Sequence, residues 1–130
     1  MIAFVLLNDP EQVGMARCLV RAALDHRRLR RYADDAEIIA SELVANAMQH
    51  VSLDPAENIG VTLMRVWSEE AIAVVVTDSS PIPPVKLNTT ADSDHGRGMQ
   101  VVEALSVHWD WHPEDCGKAV YAILAKEAST

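Results

Sequence analysis

The chain has 130 residues, 49% of them hydrophobic and 23% charged, with a net charge of −8 at pH 7. A chain of this length is expected to form one domain over 1–130 and to bury roughly two thirds of its unfolded surface, so its core needs no metal or disulfide. The acidic balance argues against a general nucleic-acid partner, which requires a basic surface; no segment reaches the ~20 apolar residues that span a bilayer.

In chain order, the apolar run IAFVLL (2–7) predicts a strand. It is too short, and lacks the basic flank, to be a signal peptide, so a cytoplasmic protein is expected. NDP follows, with Asn8 or Asp9 as helix cap and Pro10 in the first turn. Val13, Ala16, Val20, Ala23 and Leu24 recur at helical spacing, predicting a helix to about Arg31. It would end in HRRLRR (26–31), a basic cluster that reads as a solvated helix end or a docking patch for an acidic partner.

YADDAE restarts a helix, with Asp34 as cap and Glu37 three residues on, and this helix is expected to reach about Val51. A polar turn (52–58) precedes two strands, 59–67 and 71–78. The segment 79–98 holds three prolines and no periodicity, and a loop of that length in a compact domain is more often functional than not. A helix over roughly 97–106 and strands at 107–112 and 118–125 complete the chain. Cys18 and Cys116 are far apart and are expected to pack as small hydrophobes. The order of elements predicts a two-layer α/β sandwich, its mixed, mostly antiparallel sheet covered on one face by helices.

Four groups of residues carry possible chemistry. Glu42, Asn46 and His50 are spaced by four and four, which places an acid, an amide and an imidazole on one stripe of the second helix. That stripe is either a solvent-facing polar face or a site in which Glu42 acts as a base, Asn46 offers Mg²⁺ a neutral oxygen and His50 meets a phosphate. Asp78 ends the apolar strand AIAVVVTD, where it either starts a turn or accepts from an exocyclic amine. Gly96, Arg97 and Gly98 stand at a helix start, where free N–H groups and close backbone approach favour anions. His108, Asp110 and His112 alternate with Trp109 and Trp111, which reads as a strand with one polar and one aromatic face, or less simply as a metal ligand set.

The order ELVANAMQH, strand ending in Asp78, long loop, GRGM and final hairpin resembles the GHKL (Bergerat-fold) ATPases over essentially the whole chain. Within them it is similar to the bacterial anti-sigma-factor serine kinases and their actinobacterial relatives. The resemblance implies ATP and Mg²⁺ as cofactors, with Asn46 holding the metal and Glu42 taking a proton from a serine hydroxyl of a partner. It implies that Asp78 reads the adenine amine, that Gly96, Arg97, Gly98 and Met99 form a glycine box at the phosphates, and that residues from about Ser79 to His95 form a lid. It further implies an anti-sigma-antagonist (STAS-type) protein or a sigma factor as partner, a contact through Arg17 next to Ala16, and a homodimer.

Two departures stand out. Where the family carries a DxGxG box, Asp78 is followed here by SSPIPP, without a glycine, and Ala119 occupies the place of a threonine near the adenine. Loss of one ordering hydroxyl costs on the order of 1 kcal/mol. The expectation is therefore either an ATP-dependent protein serine/threonine kinase or a module on the same fold that uses nucleotide weakly or not at all and sequesters its partner.

Overall fold

The computed structural model describes residues 1–50, 58–66, 71–80 and 94–125, with side chains at all of these except 50 and 94–97. Its strands are β1 (Ile2–Leu7), β2 (Asn58–Val66), β3 (Ala71–Asp78), β4 (His108–Glu114) and β5 (Gly117–Ala125). Its helices are α1 (Gln12–Ala23), α2 (Ala33–His50) and α3 (Asp94–Leu105), with a 3₁₀ turn at Arg30–Tyr32 leading into α2.

The strands form one sheet in the order β1-β2-β3-β5-β4. Every described pair is antiparallel, so the parallel component of a mixed sheet is not present among the described strands. The pleat sorts side chains by parity. Cross-strand rows such as Phe4–Val61–Val76–Val120–Trp111 and Leu63–Val74–Ala122–Trp109 share one face. These rows join the core with Ala16, Val20 and Leu24 of the α1 segment, Ile39, Leu43 and Val44 of α2, and Met99 and Val102 of α3. All three helices therefore cover the same face. The apolar residues of α2 recur at three- and four-residue steps (Ala36, Ile39, Ala40, Leu43, Val44, Ala47), the spacing that gives one buried stripe.

Several local expectations are corrected. The first helix stops at Ala23 instead of continuing to Arg31. Leu24 closes it with an N–H bond to the Val20 carbonyl, and further turns carry the chain past His26 to buried Leu29. The basic cluster is thus a folded connection in which Arg30 pairs with Asp25 at 2.9 Å and Arg31 lies over the Tyr32 ring at 5.0 Å. At the front of α1, Asp9 accepts from the Glu11 N–H at 3.0 Å, forming the turn before the helix.

Asp34 does not cap α2. It lies in the first turn, and with Glu37 it clamps Arg21 of α1 at 2.6 Å each. The bond to Asp34, then that to Glu37, raises the Arg21 pKa above its ordinary value. The pair of acids that resembled a capping box instead ties two helices together. The cysteines are both free and exposed rather than packed, Cys18 on the outer side of α1 and Cys116 in the β4–β5 turn. Among the described residues no helix is long and apolar enough to cross a membrane.

Candidate functional site

Glu42 and Asn46 lie one turn apart on α2, and neither is on a solvent-facing stripe. Asn46 is 8% exposed and Glu42 half-buried. The neighbour of Glu42 is Gly98 on α3: a Cβ built on Gly98 would stand 2.8 Å from Glu42 Oε2. The absence of a side chain there is what lets the carboxylate lie against α3. His50 ends α2, and Asp94, His95, Gly96 and Arg97 begin α3; the side chains at these positions lie outside the described residues.

Because α3 starts at Asp94, Gly96, Arg97 and Gly98 belong to its first two turns rather than to the loop in front of it. That first turn carries the backbone N–H groups that have no partner within the helix. Met99 is different in kind: its side chain is fully buried in the apolar core, so any part it has at the glycine box is through its backbone. Arg17 is exposed on α1 beside buried Ala16. Most of the segment from Ser79 to His95 lies outside the described residues.

The second cluster sits where β3 ends and β5 begins. Asp78 pairs with Lys118 in the antiparallel register, so both side chains point to the helix-covered face. Their exposures are 1% and 0%, and Lys118 Nζ lies 2.9 Å from Asp78 Oδ2. The ammonium donates to Asp78 Oδ1 at 3.0 Å and to the Ser80 carbonyl at 3.4 Å, while the Ser80 N–H donates to the same Oδ1 at 2.8 Å. Oδ2 touches the ammonium without a well-directed bond and is a buried acceptor with no hydrogen bond.

Gly117 holds the two strand ends close, since a Cβ there would lie 1.8 Å from the Asp78 carbonyl oxygen. Sequence reasoning missed Lys118. Ala119, the residue read as standing near the adenine, pairs with Thr77 on the opposite face. No local signal marked Lys118: it shares a face with Asp78 because the β3–β5 register sets the two positions opposite each other.

His108, Asp110 and His112 are exposed along β4, while Trp109 and Trp111 pack against the core. The His108 ring rests 5.9 Å from that of Tyr121. No cluster of three potential metal-ligating side chains occurs among the described residues.

A family model for the histidine kinase-like ATPase domain matches residues 6–124. The chain belongs to the histidine kinase-like ATPase family. The fold agrees: the histidine kinase domain from Erythrobacter litoralis EL346 blue-light activated histidine kinase superposes with a TM-score of 0.54 at 16% identity, over 92% of this chain and 61% of that one. A second structure of the Erythrobacter litoralis EL346 kinase gives 0.57 at 17% identity, over 89% of this chain and 41% of that one. At such identities the likeness concerns the fold, and this ATPase domain spans less than two thirds of either kinase chain. No curated protein matches the sequence.

Proposed function

We propose that this histidine kinase-like ATPase domain binds ATP with Mg²⁺ and transfers a phosphoryl group to a serine or threonine hydroxyl of an anti-sigma-antagonist (STAS-type) partner, in a cytoplasmic regulatory switch that also engages a sigma factor. The observation that carries the proposal is the pairing of Glu42 and Asn46 on α2, with Gly98 of α3 cleared of any side chain beside the carboxylate.

Two features suit the nucleotide. Asp78 Oδ2 is a buried acceptor without a directed hydrogen bond, the kind of atom an exocyclic amine would satisfy once the Lys118 ammonium, 2.9 Å away, gives way. Gly98 lets the Glu42 carboxylate lie directly against α3, near the helix start that would face the phosphates. Mg²⁺-ATP, when bound, supplies the transferable phosphoryl group and the metal that offsets its charge. Asn46 would hold the metal through its amide oxygen. The N–H groups of the first turn of α3, with Arg97, would receive the phosphates. Glu42 Oε2 would take the proton from the partner's hydroxyl, a role that contributes roughly 10²–10⁴-fold in rate. Arg17, exposed on α1, would contact the partner.

A homodimer is supported by β1, the edge strand among those described, whose Val5 and Leu7 are 67% and 55% exposed on the sheet face away from the helices. An edge strand of this kind is a template for a second chain. A second reading, a module that sequesters its partner with little use of nucleotide, is favoured by one observation: the carboxylate meant for the base is already paired with Lys118.

Calorimetric titration with Mg²⁺-ATP, followed by phosphotransfer to a STAS-type protein with labelled ATP, tests the proposal. Glu42→Ala should bind ATP yet lose transfer, and Asn46→Ala should lose the Mg²⁺-dependent part of the affinity. Equal transfer by Glu42→Ala and the unsubstituted protein would remove Glu42 as the base. ATP-independent capture of the partner would favour the second reading.

A further inference from the structure

Lys118 is a lysine with no exposed side-chain surface, opposite Asp78 near the start of β5. Burying an ammonium is costly unless it is paired and hydrogen-bonded. Its partners here are both oxygens of Asp78 and the Ser80 carbonyl. The Ser80 N–H takes a further place on Oδ1. The carboxylate that the preceding section reads as base-recognising is therefore filled from inside the chain. The acceptor left without a directed bond, Oδ2, is itself buried and lies against the same ammonium.

An incoming base amine brings to Asp78 a neutral donor where Lys118 already brings a charged one. The ammonium lies 2.9 Å from Oδ2 and 3.0 Å from Oδ1, so it bridges the carboxylate, and a neutral amine that comes to Oδ2 meets the ammonium there. Gly117 draws the two strand ends together, which anchors the lysine backbone opposite Asp78 and leaves movement of the side chain as the way to open the position.

We propose that Lys118 is the specificity-determining residue of the base pocket: its ammonium competes with the nucleotide base for Asp78, so that base recognition requires Lys118 to withdraw. The proposal rests on Asp78 being the base-recognising residue. It makes the protein a weak and base-indifferent nucleotide binder in which the phosphates and metal provide the affinity. A pocket competent for only a tenth of the time or less weakens apparent affinity roughly tenfold or more.

The test is calorimetry with ATP and with GTP, each with Mg²⁺, on the unsubstituted protein, Lys118→Thr, Lys118→Met and the double variant Asp78→Asn/Lys118→Thr, with folding checked by circular dichroism. The unsubstituted protein should bind ATP and GTP within about threefold of each other, because the base is not read. Lys118→Thr should bind ATP about tenfold tighter or better and prefer it to GTP, and the added Asp78→Asn should cancel that gain. Lys118→Met preserves the length of the side chain and serves if the threonine variant does not fold.

The proposal is overturned if the folded variants bind ATP no tighter than the unsubstituted protein. It is equally overturned if the unsubstituted protein already prefers ATP to GTP about tenfold, a result that needs no variant to fold. Either outcome leaves ATP binding intact and removes only the role of Lys118. Failure of every folded form to bind either nucleotide at millimolar concentration would instead remove the nucleotide reading, and this one with it.

Discussion

Replacing Lys118 by methionine deletes one ammonium and keeps the apolar stem that packs under the sheet. Asp78, whose side chain is 1% exposed, then keeps the neutral Ser80 N–H at 2.8 Å but loses the cation that offsets its charge. Removing one partner of a buried pair costs about 3–5 kcal/mol, because the remaining charge is left uncompensated. For a domain of this size that lowers the melting temperature by roughly 10–20 °C. It leaves a folded protein if the starting stability is within the usual ~5–15 kcal/mol. Asp78→Asn should also destabilise, since the buried ammonium then faces neutral acceptors, the new amide oxygen and the Ser80 carbonyl at 3.4 Å, in place of a carboxylate. The double variant Asp78→Asn/Lys118→Met carries no buried charge and should cost much less than the sum, with a coupling of about 2 kcal/mol or more. Urea denaturation followed by circular dichroism measures all four proteins under one condition, and an unchanged denaturant slope confirms that the same folded state is compared. A loss below about 1 kcal/mol for Lys118→Met would refute the reasoning, since an exposed pair behaves that way.

Three further outcomes follow from the same geometry. Gly98→Ala should leave stability unchanged or raise it by up to ~1 kcal/mol, because alanine favours a helix and the atom it meets is the mobile end of Glu42. Displacing that carboxylate should nonetheless lower phosphotransfer by roughly 10- to 100-fold, read in a labelled-ATP assay; unaltered transfer would separate Gly98 from the chemistry. Gly117→Ala meets backbone instead of a side-chain end, with a Cβ 1.8 Å from the Asp78 carbonyl oxygen, and should cost about 3 kcal/mol or fail to fold, as thermal unfolding would report. Val5→Lys on the exposed edge of β1 should abolish a homodimer in sedimentation equilibrium while leaving the circular dichroism spectrum intact; a monomer before substitution would remove the dimer proposal.

Much of the fold was legible because its signals are local. The three- and four-residue repeat of α2 is visible in the sequence, and the structure buries Ala36, Ile39, Leu43, Val44 and Ala47 on that stripe. The apolar run ending at Asp78 marked β3, and its strand end did become part of the candidate site. Helix limits were less legible. Asp34 and Glu37 look like a capping pair, but their use is decided by Arg21, 13 and 16 residues away, which no local rule anticipates. The end of α1 was likewise decided by packing, since Leu29 is buried beyond the turns that follow Leu24.

The sequence by itself named Glu42, Asn46 and Asp78 as candidates for chemistry. Spacing placed Glu42 and Asn46 one helical turn apart, and composition confined the acid Asp78 to a strand end. Only the tertiary structure decided what each of them faces. Gly98 stands against Glu42 because α3 packs on α2, and Lys118 meets Asp78, 40 residues distant, because antiparallel register sets the two positions opposite each other. Side chains in a strand alternate faces, so a single step from Lys118 to Ala119 moves a residue from the helix-covered side of the sheet to the other. That step is invisible until the strands are paired, and it puts a buried cation, not a missing hydroxyl, beside Asp78.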